Sequence, residues 1–105
     1  MDQFCAYKNP NPATRAQYPL LLDIQSDLLS ELRTTVVIPM TPSKLAAPMR
    51  LTRLNSGIVI DGKTFTVMTQ EIAGLDRNKL GAQAYDLSSY RSEIMAALDF
   101  VLSGI

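Results

Sequence analysis

The side chains able to do chemistry are scattered along this sequence, not gathered. Asp23 and Asp27 flank Gln25 and Ser26, and such a carboxylate pair could act as general acid and base or begin a metal site. A metal would want a third carboxylate, and none is evident. The spacing fits better with a tight turn, in which Ser26 or Asp27 bonds to its own backbone. Cys5 is a candidate nucleophile, but no adjacent Lys or Arg lowers its pKa, and Lys8 lies three residues on. A buried strand cysteine is the expectation. Arg33 beside Thr34 or Thr35 could assist phosphodiester cleavage by charge stabilisation, although an arginine at a strand entrance is more often simply solvated. The sequence contains no histidine, which removes Ser-His and Cys-His nucleophile pairs and His-ligated zinc.

At 105 residues the chain has room for one domain, 1–105, and one core. A domain of this size buries roughly two-thirds of the surface its unfolded chain exposes. A hydrophobic share of 47% with 19% charged residues is globular and not disordered composition. Ten Lys and Arg balance ten Asp and Glu, so the basic excess of a free-standing nucleic-acid binder is missing. That points to a protein or small-molecule partner. A lone cysteine allows no intrachain disulfide and suits a reducing compartment. With no signal-peptide pattern at Met1-Asp2-Gln3-Phe4 and no run of ~20 apolar residues, the expectation is a cytoplasmic protein without membrane contact.

The elements that must position these residues follow from periodicity. Gln3–Tyr7 reads as a first strand, and Asn9-Pro10-Asn11-Pro12 as the loop that ends it. Tyr18–Gln25 is a second strand, with Leu20, Leu21 and Leu22 consecutive as in a strand buried on both faces. Thr34–Met40 is rich in β-branched residues, and Ser43–Ala47 has room for one helical turn before Pro48. Gly57–Ile60 and Lys63–Thr69 flank Asp61-Gly62, the dipeptide of a type I′ hairpin. Residues 70–85 are weakly patterned, with one short strand expected near Ala82–Tyr85. From Ser88 to Ser103 the period becomes helical. Leu87, Tyr90, Ile94, Ala97, Leu98, Val101, Leu102 and Ile105 form its apolar face. Asp86, Ser88 or Ser89 is placed to cap its start and Gly104 its end. About six short strands followed by a helix imply an α+β, mainly β, fold around a strongly bent antiparallel sheet.

Two surfaces stand out as binding candidates. Leu28-Leu29 is apolar just after a polar turn, as either core or a contact patch. On the helix, Ser92, Met95, Ala96, Asp99 and Ser103 gather opposite the apolar face, where a solvated helix would carry Lys and Glu. Either another part of the chain covers that face or a partner does.

Taken together, Gln3-Phe4 with Tyr7, Asp23-Ile24-Gln25-Ser26-Asp27, Val37-Ile38-Pro39-Met40-Thr41-Pro42, Met68-Thr69, Asp86-Leu87-Ser88 and the terminal Gly104-Ile105 resemble the CcdB family. Its members are the toxin halves of plasmid-maintenance and chromosomal toxin–antitoxin modules. The resemblance implies an SH3-like barrel with a C-terminal α-helix, a fold shared with the MazF and Kid ribonucleases, and a symmetric homodimer. It implies a binding protein and not an enzyme, needing no cofactor or metal. The toxin would trap the DNA gyrase A protein on cleaved DNA, and a CcdA-like antitoxin would extract it. DNA would be met only indirectly, through gyrase or through the antitoxin complex that autoregulates transcription. Carried over by residue, the gyrase contacts are Ser26, Leu28, Leu29, Asp99, Ser103, Gly104 and Ile105. The best-known plasmid member has tryptophan where Ser103 stands and asparagine where Asp99 stands, and loss of an aromatic anchor removes a hot spot of ~2 kcal/mol or more. The resemblance leaves two other readings: an endoribonuclease toxin of the MazF type using Arg33 and a threonine, or a non-toxic relative retained for antitoxin binding.

Overall fold

A computed structural model describes residues 2–46 and 55–104. Ala47, Pro48 and Ile105 therefore lie outside the described residues. The strands, in chain order, are β1 (Cys5–Lys8), β2 (Leu20–Asp23), β3 (Thr34–Pro42), β4 (Gly57–Ile60), β5 (Lys63–Val67), β6 (Ala73–Asp76) and β7 (Gln83–Asp86). A helical turn, α1 (Ser43–Ala46), follows β3, and the helix α2 (Arg91–Ser103) follows β7.

The sheet is organised around β3, whose first five residues are all β-branched and favour extended backbone. Along one edge runs antiparallel β2, with Leu20 opposite Met40 and Asp23 opposite Val37. The other edge is shared: β6 pairs with Thr34–Val37, and β5 with Met40–Pro42. The changeover falls at Ile38-Pro39 because Pro39 has no N–H to offer a ladder. Its carbonyl instead accepts the Met68 N–H at 3.0 Å, as the chain crosses from β5 to β6 through a 3₁₀ turn at Thr69–Glu71. The order β4-β5-β3-β2-β1-β7, with β6 also on β3, makes a curled half-barrel of antiparallel strands. That is the expected α+β, mainly β, architecture.

Inside the curl lie Phe4, Leu22, Ile38, Met40, Ile58 and Val67, all buried. The helix closes the open side with Ile94, Ala97 and Leu98. Leu20, Leu21 and Leu22 are all buried, as a strand covered on both faces requires. The hairpin between β4 and β5 turns at Asp61 and Gly62, both at positive φ (51° and 79°), the type I′ geometry expected of that pair.

Several expected boundaries move. The first strand starts at Cys5 and not Gln3, because Phe4 sits at φ 65°, outside the β region. The second stops at Asp23, whose Oδ1 accepts the Gln25 N–H at 3.1 Å and turns the chain. The segment 70–85 holds two strands and not one, so the sheet has seven among the described residues. The unexpected member, β6, is a partly exposed strand interrupted by Gly74, and no alternation marks it. At the helix, Ser88–Tyr90 is a 3₁₀ turn before α2. Asp86 Oδ1 accepts the Ser88 N–H at 2.9 Å, an Asx turn that leads into it, while neither that turn nor α2 has a side-chain cap. Gly104 takes the left-handed conformation (φ 74°) and donates its N–H to the Phe100 carbonyl at 2.9 Å. Leu102, placed on the apolar face by periodicity, is 81% exposed, whereas Ile94, Ala97 and Leu98 on that face are buried.

Candidate functional site

Immediately after β2, the chain makes a compact 3₁₀ turn at Asp27–Leu29. Ser26 starts it, its Oγ accepting the Leu28 N–H at 3.2 Å. Asp27 fastens it to the N-terminal segment, where its Oδ1 accepts the Gln3 N–H at 2.8 Å. Gln3 in turn donates from Nε2 to the Ile24 carbonyl at 3.1 Å. Ser26, Asp27 and Gln3 are thus engaged in fixing the turn, and three leucines face outward among the exposed Ser30, Glu31 and Arg33. Leu28 is 94% exposed, Leu29 46% and Leu32 49%. A leucine left almost wholly in water, beside two more half-exposed, is the pattern of a contact surface.

The second surface is the outer face of α2. Ser92, Met95, Ala96, Asp99 and Ser103 are all exposed, so no described part of the chain covers that face. Ser103 Oγ donates to the Asp99 carbonyl at 2.6 Å. Leu102 and Gly104 are exposed beside them. Ser26, Leu28 and Leu29 stand on the turn after β2, and Asp99, Ser103 and Gly104 on the helix end. Ile105, the remaining candidate contact, lies outside the described residues. No hydrogen bond links the two surfaces among the described residues.

The candidates for bond-making chemistry are engaged in structure. Asp23 is buried and accepts the Thr35 Oγ1 hydroxyl at 2.8 Å, so Thr35 is committed to the core and Thr34 is exposed. Arg33, with its side chain 80% exposed, pairs through Nη1 with Asp76 Oδ2 at 2.7 Å. Arginine and threonine therefore do not converge on one groove. Cys5 is buried, with the Gln83 amide 3.5 Å from its sulfur. Burial, then the nearby carboxylates beginning with Asp86, push its thiol pKa up, the opposite of what a nucleophile needs. Among the described residues there is no group of three His, Cys, Asp or Glu placed to hold a metal ion. No described helix is long and apolar enough to cross a membrane.

A family model described as CcdB protein matches residues 3–104. The chain belongs to the CcdB family. It therefore stands with the toxins of toxin–antitoxin modules. Among solved structures it is similar to a mycobacterial endoribonuclease in complex with its cognate antitoxin, with a TM-score of 0.75 at 13% identity over 95% of this chain and 92% of that one. It is also similar to the Mycobacterium tuberculosis toxin MazF-mt6, with a TM-score of 0.68 at 15% identity over 93% of this chain and 95% of that one. At these identities the likeness is one of fold.

In this CcdB-family chain, most of the motif residues that carry the resemblance turn out to be joints of the fold. Gln3 is bonded to Asp27 and Ile24, Asp23 to Thr35, and Met68 to Pro39. Sequence reading missed a groove of about 610 Å³ lined by Lys8, Arg15, Pro19, Leu20, Phe65 and Tyr85. A neighbouring one of about 580 Å³ shares Pro19 and Phe65 and adds Lys44 and Lys63. Together they offer an apolar floor with a cationic rim. Five strands and α1 contribute to it, so no local pattern announces it, and the balanced net charge conceals it.

Proposed function

We propose that this protein is a gyrase poison: a homodimer that binds the DNA gyrase A protein and traps the gyrase–cleaved-DNA complex, without making or breaking bonds itself. The observation that carries this reading is Leu28, held almost fully exposed on a pinned turn, inside the stretch that the CcdB family model matches. Leu29 and, on the second surface, Asp99, Ser103 and Gly104 are the further contacts in this reading, with Ile105 next in sequence. Such a toxin works by differential binding, holding one gyrase conformation in preference to another. Two-fold symmetry doubles a small contact patch, which is why a dimer suits the task.

A CcdA-like antitoxin is the second partner. One structural neighbour is a toxin seated with its cognate antitoxin, and an acidic antitoxin segment would find complementary charge at the rim set by Lys8, Arg15, Lys44 and Lys63. The test is a supercoiled-plasmid assay with purified protein and gyrase. Cleaved DNA should accumulate only when gyrase is present, free RNA should stay intact, and added antitoxin should reverse the effect. RNA cleavage with undisturbed gyrase would replace this reading with an endoribonuclease one.

A further inference from the structure

The loop that presents Leu28, Leu29 and Leu32 is held by one side chain at the end of the neighbouring strand β6, which pairs with the start of β3. Arg77 lies in the 3₁₀ turn after β6, more than forty residues away in sequence. Its Nε donates to the Leu32 carbonyl at 2.6 Å, and its Nη2 to the Leu29 carbonyl at 3.1 Å. Its backbone N–H donates to the Arg33 carbonyl at 2.9 Å. Three bonds from one residue thus fix three carbonyls of a five-residue stretch. The neighbouring carboxylate does not compete for the guanidinium. Asp76 Oδ2 is taken by Arg33 and Asp76 Oδ1 by the Asn78 N–H at 3.2 Å, which leaves the Arg77 fork free to face the loop backbone.

We infer that Arg77 is a positioning residue for the Leu28–Leu32 contact surface, holding the loop in its binding shape before the partner arrives. This rests on the gyrase reading for the identity of that partner. The physical need is plain. A loop whose largest side chains face water gains nothing from the core, and ordering it at the moment of binding would subtract from affinity. Asp27 on Gln3 fixes the loop's start, and Arg77 fixes its end. The planar guanidinium suits the task because its donors diverge at a set angle and reach two carbonyls at once, which a lysine ammonium on a flexible stem does not reproduce.

Arg77→Gln in the full-length protein is the test, with Arg77→Lys beside it and circular dichroism to verify the fold. Amide exchange at residues 28–33 should speed up while the β3 core stays protected. Affinity for the gyrase A protein should fall about tenfold on loss of two hydrogen bonds from a charged donor, and Lys should restore only part of it. In a Leu28→Ala background Arg77→Gln should weaken binding little further, since a latch matters only through what it presents. Unchanged exchange at 28–33, or fully additive losses, overturns the inference. If Leu28→Ala alone leaves gyrase binding intact, the gyrase reading of this loop fails. The latch is then decided by exchange: faster exchange at 28–33 upholds it and unchanged exchange overturns it.

Discussion

The two exposed surfaces of this protein are shaped in opposite ways. The Ser26–Leu32 loop has local turns of its own, but it is fastened by residues far away in sequence, with bonds to Gln3 on one side and to Arg77 on the other. The hydrogen bonds that shape the end of α2 are local: Ser103 to Asp99, and Gly104 to Phe100, each four residues apart. A loop held by tertiary bonds exists in its binding shape only when the barrel is folded. A helix end held by its own turns needs the barrel only to aim it, through Ile94, Ala97 and Leu98. Substitutions that disturb one surface should therefore leave the other largely alone.

The largest expected effect comes from breaking the aim of the helix. Ile94 is fully buried, and Ile94→Ala should cost ~2–5 kcal/mol of stability through lost transfer energy and the cavity left behind. Chemical denaturation measures that cost. Under conditions where the variant remains folded, amide exchange at residues 28–33 should match the wild type. Faster exchange there would show that the two surfaces are not independent.

A smaller effect is expected at the helix end itself. Removing Gly104 and Ile105 takes away one capping bond, the Gly104 N–H to the Phe100 carbonyl, so stability should drop by about 1 kcal/mol. Toxicity should be lost, because on the gyrase reading both residues touch the partner, and Gly104 is exposed. The complementary change, Ser103→Trp, places a large flat side chain at an exposed position and should tighten gyrase binding by about 1 kcal/mol or more, read by titration against the gyrase A protein. A truncated protein that folds and stays fully toxic would leave the Leu28 loop as the whole contact.

The same contrast explains what is legible in the sequence. β-Branched runs, the Asp61-Gly62 turn and the helical period are local signals, and β3, the β4–β5 hairpin and α2 can be read from them. So can the Gly104 cap. The strand β6 escapes such a reading because Gly74 and half-exposed neighbours leave it no alternation. The exposed leucines fit either a contact patch or core, and neither periodicity nor composition decides between the two. Arg77 does not stand out at all, because its partners are backbone carbonyls, which carry no sequence signal. Leu102 follows the helical period of Ile94 and Leu98 and yet is exposed, since a period marks a face of the helix and not how far along it the burial extends.

The smallest expected effect is a pH dependence at the entry to the helix. Asp86 is held below its ordinary value of 3.8, first by the Ser88 backbone N–H and then by the Ser88 hydroxyl, with slight opposition from desolvation. A carboxyl whose folded pKa is depressed binds fewer protons folded than unfolded, so stability rises with pH across that interval. Its contribution is complete above 3.8 and fades as pH falls through the lower folded value. Asp86→Ala removes both the charge and the Asx turn that leads into Ser88–Tyr90, so it should unfold at a lower temperature than wild type at neutral pH. In acid the wild-type carboxylate is itself protonated and the two melting temperatures should converge. Because Asp86 lies before α2 and not in the Leu28 loop, amide exchange at residues 28–33 should be the same in variant and wild type at neutral pH. A constant gap in melting temperature from neutral to acid would mean that the aspartate acts through its shape and not its charge, and would remove the electrostatic account of how the helix is started.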